Sequence, residues 1–257
     1  MKIILFFSLT IFSSFLYSQE IKNSNNIREL DSLISIEPNA DNYYLRGYFK
    51  YNAKDYKSAL LDYDQSILLD KDNFKAFFSR GMLKDKLSDF YGAIIDYTKC
   101  IALNGESSKA YFNRGFSKSN VSDIKGAIED YSKCIKLNSE HKAAFLNRGI
   151  LKKDQNLFEE ALSDYDNAIA IDNDFLDAVQ SRAILKALMN RKDAIQDFNA
   201  AIRIAPDDGE SYYNRAVYII NFKIDADYCS DVKKAVRLGF TSANVLLAKK
   251  CSTYNAK

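Results

Sequence analysis

The chain has 257 residues, 47% of them hydrophobic and 27% charged, with 9 Gly, 2 Pro and no Trp, a balance that excludes disordered and collagen-like polymers and fits an ordered helical protein. Lys plus Arg 36 against Asp plus Glu 34 leaves a net charge of +2, and with no basic run, nucleic acid is not expected as the main ligand. One His and four Cys are too few for a metal cluster or a His-dependent catalytic constellation, so no cofactor and no metal are expected.

Met1 to Ser18 opens with Lys2, runs through the apolar stretch from Ile3 to Phe12 and ends in small and polar residues before Gln19. This is the layout of a secretory signal peptide. The stretch is shorter than the ~20 residues that span a bilayer, and no second apolar run of that length follows. The expectation is an exported chain, periplasmic or secreted, with no membrane span after cleavage near Ser18, in a compartment that oxidises thiols. Residues 19–39 then carry Leu30, Leu33, Ile34 and Ile36 ahead of Pro38, which predicts a lone capping helix over the face of whatever follows.

From there the chain repeats. Arg46-Gly47, Arg80-Gly81, Arg114-Gly115 and Arg148-Gly149 are each 34 residues apart, continued by Arg182-Ala183 and Arg215-Ala216. A second series keeps nearly the same step: Asp62-Tyr63, Asp96-Tyr97, Asp130-Tyr131, Asp164-Tyr165, Asp197-Phe198 and Asp231-Val232. Ala59, Ala93, Ala127, Ala161 and Ala194 stand three residues before the Asp. Each unit predicts two helices, A and B, joined by a short polar turn such as Asn52 to Asp55.

This pattern resembles the tetratricopeptide repeat, with a small residue in the middle of helix A, Ala and then an aromatic on helix B, and often a closing Pro. Gly and Ala remove side chains where the helices cross, and the aromatic fills the space beside them. The departures are Tyr43, Phe77, Tyr111, Phe145 and Val179 in place of Trp, Arg in place of the Leu before the Gly, Pro only at Pro206, and a turn one residue short around Asn190 to Lys192. The resemblance implies an all-α, right-handed superhelical solenoid of about six helix-turn-helix repeats, with capping helices at both ends. The repeats would occupy residues 40–73, 74–107, 108–141, 142–175, 176–208 and, in divergent form, 209–240. The last helix, within 241–257, is expected to turn Val245, Leu246 and Ala248 inward.

The repeated Arg and Asp are read as ion pairs that set register. Cys100 and Cys134 hold equivalent helix B positions about 8–10 Å apart, beyond disulfide reach, and are read as buried thiols. Cys229 and Cys251 lie about ten residues before and eleven after the Gly239-Phe240 turn, level on two antiparallel helices, so a disulfide between them is expected. His141, in an inter-repeat loop, is read as a surface residue.

In the family, ligands lie along the concave surface lined by helix A. Carrying that register over gives Tyr44, Phe78 and Phe112 three before the small residue, and Tyr48, Met82 and Phe116 one after it, with Tyr51 close by. Asn113, Asn147 and Asn214, two before it, resemble an asparagine ladder that holds an extended peptide backbone. The row is incomplete, because Leu45, Ser79 and Ser181 interrupt it. The alternative is that Asn and Ser are tolerated on a solvated face while the apolar neighbours pack between A helices. The aromatics concentrate in the first three repeats, which places any anchoring pocket there. The Lys and Asn that form a carboxylate clamp in some family members are missing. No phosphate-cradling loop, metal cluster or nucleophile motif is present, so no enzyme and no small-molecule substrate is expected. The resulting expectation is a non-enzymatic protein or peptide binder using the concave groove. A structural adaptor for a cell-envelope complex, working through convex or end surfaces, is the alternative, and self-association is a third.

Overall fold

The computed structural model describes residues 26–251; the signal-peptide reading of residues 1–18 and the tail after 251 lie outside them. The chain divides into two compact units, residues 1–133 and 134–257. Every regular element among the described residues is helical. The first unit holds α1 (residues 26–36), α2 (Ala40–Asn52), α3 (Tyr56–Leu69), α4 (Phe74–Lys86), α5 (Phe90–Leu103) and α6 (Ser108–Asn120), and the unit boundary falls within α7 (Ile124–Leu137). The second holds α8 (Lys142–Asp154), α9 (Phe158–Ile171), α10 (Leu176–Leu188), α11 (Ala194–Ile204), α12 (Gly209–Asn221), α13 (Tyr228–Arg237) and α14 (Ala243–Leu246), which runs into a π-turn over Leu247–Cys251.

Local chemistry fixes these boundaries. In the first unit Asn39, Asp55, Asn73, Asp89 and Ser107 each precede a helix, and each side chain accepts a hydrogen bond from an amide of the first turn, satisfying a donor that the helix itself cannot. Between helix A and helix B one residue takes a left-handed conformation, Lys54, Ser88 and Ser122 in the first unit, Asn156, Asn190 and Lys223 in the second. That conformation ends helix A and reverses the chain within a few residues.

Helices A and B cross at the small residues. A Cβ added to Gly81 would lie 2.8 Å from the Tyr97 ring, and one at Gly149 2.7 Å from Tyr165. The ring occupies the space that a side chain would need. Tyr63, Tyr97, Tyr131 and Tyr165 are buried, as are the Ala residues of helix B.

The repeated charges hold the same two helices. Arg80 grips both oxygens of the buried Asp96, Nε at 2.9 Å and Nη2 at 2.6 Å, and its Nη1 reaches back to Asp64 on the preceding helix B at 2.6 Å. Lys84 adds a second cation at 2.9 Å from Asp96. The Arg, Asp and Lys arrangement recurs at Arg46–Asp62–Lys50, Arg114–Asp130–Lys118, Arg148–Asp164–Lys152 and Arg182–Asp197–Lys186, while Arg215 and Asp231 pair without a lysine. Each of Arg46, Arg80, Arg114 and Arg148 also lies over the aromatic ring three residues before it, at the place of the family's Trp.

Each end buries only part of its apolar set. In α1, Leu30 and Ile34 are buried, but Leu33 and Ile36 face solvent, because a single stripe one turn apart meets the first repeat. In the last helix, Ala243, Leu246, Leu247 and Cys251 pack against Cys229 and Val232, whereas Val245 and Ala248 point outward. The inward stripe is set by Ala243, Leu246 and Leu247, which at about 100° per residue leaves Val245 on the opposite side. Cys229 and Cys251 are disulfide-bonded, their Cα atoms 5.5 Å apart. Cys100 and Cys134 are buried free thiols, and burial pushes them up to about 12 and about 11, which leaves little reactive thiolate at neutral pH.

Candidate functional site

The free face of the A helices separates two rows that look alike in sequence. Three residues before the small position, the first unit's rings turn onto helix B: Tyr44 lies 6.2 Å from Tyr63, Phe78 5.7 Å from Tyr97 and Phe112 5.7 Å from Tyr131. One residue after it, Tyr48, Met82 and Phe116 are 45%, 37% and 42% exposed. The first row is packing, and only the second presents apolar surface to a ligand. Tyr51 packs on Tyr56, ring centroids 5.7 Å apart. In the second unit the earlier row is also structural, since Leu146 is buried, Gln180 donates to Asp208 and Ser211, and Tyr213 stacks near Phe240.

The asparagine row divides as well. Asn113, Asn147 and Asn214 are half-buried, while Ser79 is buried beside Tyr63. Next to this row lies a polar cluster that the sequence reading missed. The Asp85 carboxylate accepts from Tyr97 Oη at 2.8 Å and from Ser117 Oγ at 2.6 Å, and burial pushes its carboxyl above the ordinary carboxylate range. A register comparison would have found it: Ser117 stands where three other repeats have Leu83, Leu151 and Leu185, so two neighbouring helices turn polar at one place. The same comparison would have revealed the lysines four residues after each Arg.

Between α10 and α12, within the second unit, lies a cavity of about 620 Å³. Ile184, Ala187, Leu188 and Val217 form its walls, with Phe198 and Phe222 adding aromatic surface. Its polar residues are Asn190, Asn214 and Asn221 and Tyr218, whose hydroxyl donates to the Arg191 and Lys192 carbonyls at 3.2 and 3.1 Å. No charged side chain lines it. The nearby Lys186 and Arg191 are held by Asp193, with Lys186 also on Asp197, and the Arg191 hydrogen bond brings the Asp193 carboxyl down to about 2. Of the sequence candidates only Asn214 lines this cavity, which lies in the fifth and sixth repeats rather than the first three.

His141 is not a bare surface residue. Its Nδ1 accepts from the Ala144 amide and caps α8, and partial burial lowers its pKa. Among the described residues, no group of three or more His, Cys, Asp or Glu side chains could hold a metal ion. No described helix is long and apolar enough to cross a membrane.

The tetratricopeptide repeat family model matches residues 108–141, and no curated protein matches the chain. Among solved structures, the C-terminal part of a TPR repeat-containing protein from Cytophaga hutchinsonii is 17% identical, with a TM-score of 0.75, over 93% of this chain and 98% of that one. A tetratricopeptide repeat protein from Parabacteroides merdae is 21% identical, with a TM-score of 0.64, over 93% and 96%. YrrB, described as a TPR protein with an unusual peptide-binding site, is 20% identical, with a TM-score of 0.63, over 72% and 96%. With helix pairs recurring at the 34-residue step, small residues seated on helix B rings and a repeat model matched over residues 108–141, the fold is that of the tetratricopeptide repeat.

Proposed function

We propose that the chain is a non-enzymatic interaction module that holds a segment of a partner protein against the free face of its A helices. One observation carries this reading. Tyr48, Met82 and Phe116 repeat on three successive A helices, remain exposed, and are not needed for the crossing with helix B, because Tyr44, Phe78 and Phe112 already cover that ring. An exposed apolar row that the crossing of helices A and B does not need is what an anchored peptide requires. The peptide-binding description of YrrB supports the same use of the fold, and the half-buried Asn113, Asn147 and Asn214 can donate to and accept from a peptide backbone. Export fits the signal-like residues 1–18 and the Cys229–Cys251 pair, which an oxidising compartment would keep closed.

Met82→Ser with Phe116→Ser tests the reading by affinity capture from cell-envelope extract. Partner proteins should be lost while the melting temperature stays within a degree or two of the parent. Capture that survives the double change removes the proposal. Phe78→Ser with Phe112→Ser is the contrasting pair, expected to lower stability first.

A second reading, an adaptor working through the B helices, is favoured by the exposure of Leu61 (59%), Tyr91 (70%) and Ile95 (68%) on α3 and α5. The matching positions are Lys125 and Glu129, Glu159 and Ser163, and Lys192 and Gln196 in later repeats. Loss of capture with Leu61→Ser and Ile95→Ser, but not with the Met82 and Phe116 changes, would establish that reading instead.

A further inference from the structure

We propose that the cavity between α10 and α12 receives a large uncharged apolar side chain from a partner segment, at the place where other repeats supply one of their own. In those repeats helix B opens with Tyr56, Phe90, Ile124 and Phe158. These residues plug the groove edge: Tyr56 joins the core around Tyr51, Phe158 packs against the core of its unit, and Phe90 meets Phe116 of the next helix A, ring centroids 6.4 Å apart. The fifth repeat has no such plug. Counting back from its helix B Ala194, the plug position is Arg191. The shortened turn delays the start of α11 to Ala194 itself, so α11 has 11 residues where α9 has 14. The Arg191 guanidinium turns to Asp193 at 3.1 Å and stays largely exposed. The cavity remains where the missing side chain would lie, with Ile184, Val217 and Phe222 around it.

The chemistry of the walls selects the occupant. A charged side chain would lose its hydration with no free counter-ion, because no charge lines the cavity and Lys186 and Arg191 are already paired. Phe, Leu or Trp would meet only apolar wall and ring surface. The three Asn carboxamides can both donate and accept, so they match the amides on either side of the inserted residue. The volume falls within the roughly 300–1,000 Å³ of small-ligand sites. The ligand class is therefore an extended, uncharged peptide stretch around one large apolar residue. This inference rests on the A-helix face binding a partner segment, and it assigns the fifth and sixth repeats the anchoring step.

The test uses the full chain and fluorescence polarisation with pools of N-acetylated, C-amidated octapeptides whose central residue is Phe, Leu, Ala or Glu. Phe- and Leu-centred pools are expected to bind at least about tenfold more tightly than Ala- or Glu-centred ones, with Ala187→Phe, which fills the cavity, erasing the difference. A preference that survives Ala187→Phe but disappears with Met82→Ser and Phe116→Ser overturns the cavity assignment and leaves the A-helix reading standing. Absence of any preference in the parent chain also overturns it. If Ala187→Phe does not fold, methyl NMR of Ala187, Leu188 and Val217 in the parent replaces it: shifts on adding the Phe-centred pool are expected, and unmoved methyls refute the proposal.

Discussion

The two units use one repeat and differ just outside it. In the first, every helix B opens with a plug, Tyr56, Phe90 or Ile124, and the apolar surplus stands outside the core, as Tyr48, Met82 and Phe116 on the A helices and Leu61, Tyr91 and Ile95 on the B helices. In the second, the fifth repeat lacks the plug and holds a cavity with polar carboxamides. The residues that fasten A to B keep their rhythm through both units, so they say little about binding. Departures from that rhythm, Arg191 for a plug or Ile95 for a polar residue, are where a partner can be read.

The fastening itself offers the largest expected effect. Asp96→Ala in the first unit leaves Arg80 and Lys84 facing a site that has lost its charge, and removing one partner of such a buried cluster costs about 3–5 kcal/mol. Asp231→Ala removes a simpler pair, since Arg215 is more exposed and has no lysine beside it, and about 2 kcal/mol is expected. Urea unfolding of the two variants checks the order. Equal losses would mean that the lysine adds nothing.

Next is the end of the second unit. Reducing Cys229–Cys251, which spans 22 residues, is expected to cost about 3 kcal/mol on the chain-entropy account. Hydrogen exchange should speed up in α13 and α14 and stay unchanged in α2 to α5. Uniform acceleration would mean that the bond supports more than its own end of the chain.

How far the sequence reached follows from what each residue type constrains. Gly-with-Tyr and Arg-with-Asp spacings made the helix pairs legible, because close helix crossing admits few alternatives. The face on which a residue lies was less legible. Phe78 and Met82 are four residues apart on one stripe, and only the ring of Tyr97 decides that the first is packing and the second is free. Val245 and Ala248 were misassigned because the inward stripe runs through Ala243, Leu246, Leu247 and Cys251, a set that crosses a π-turn no sequence period announces. The cavity was signalled by the shortened turn at Asn190 to Lys192, but its volume depended on Arg191 turning away to Asp193.

A smaller effect separates two of the buried tyrosines. Tyr165 Oη has no hydrogen-bond partner among the described residues, while Tyr97 Oη donates to Asp85. Tyr165→Phe is expected to stabilise the chain by about 1 kcal/mol and Tyr97→Phe to destabilise it by about as much. Thermal melts of both decide it. A destabilised Tyr165→Phe would show that this hydroxyl is satisfied in solution.

The smallest expected effect is a pH dependence confined to the first unit. Asp85 faces Tyr97, Ser117 and, at longer range, Asp89; burial and Asp89 raise its carboxyl, and the two hydroxyl donors offset this only in part. For a carboxyl raised on folding, the neutral form is the one the fold prefers. Its contribution to stability is therefore full below the ordinary carboxylate range and is lost as pH rises through the raised value. Asp85→Asn replaces the group with one that does not titrate and can still bond both hydroxyls. The variant should melt above the parent at neutral pH, and the gap should narrow as pH falls towards about 4. Melting curves between those limits test it. A gap that stays constant would mean that the hydroxyl donors compensate the buried charge fully, and the polar break at Asp85 and Ser117 would then carry no stability cost to set against the apolar Leu83, Leu151 and Leu185 of the other repeats.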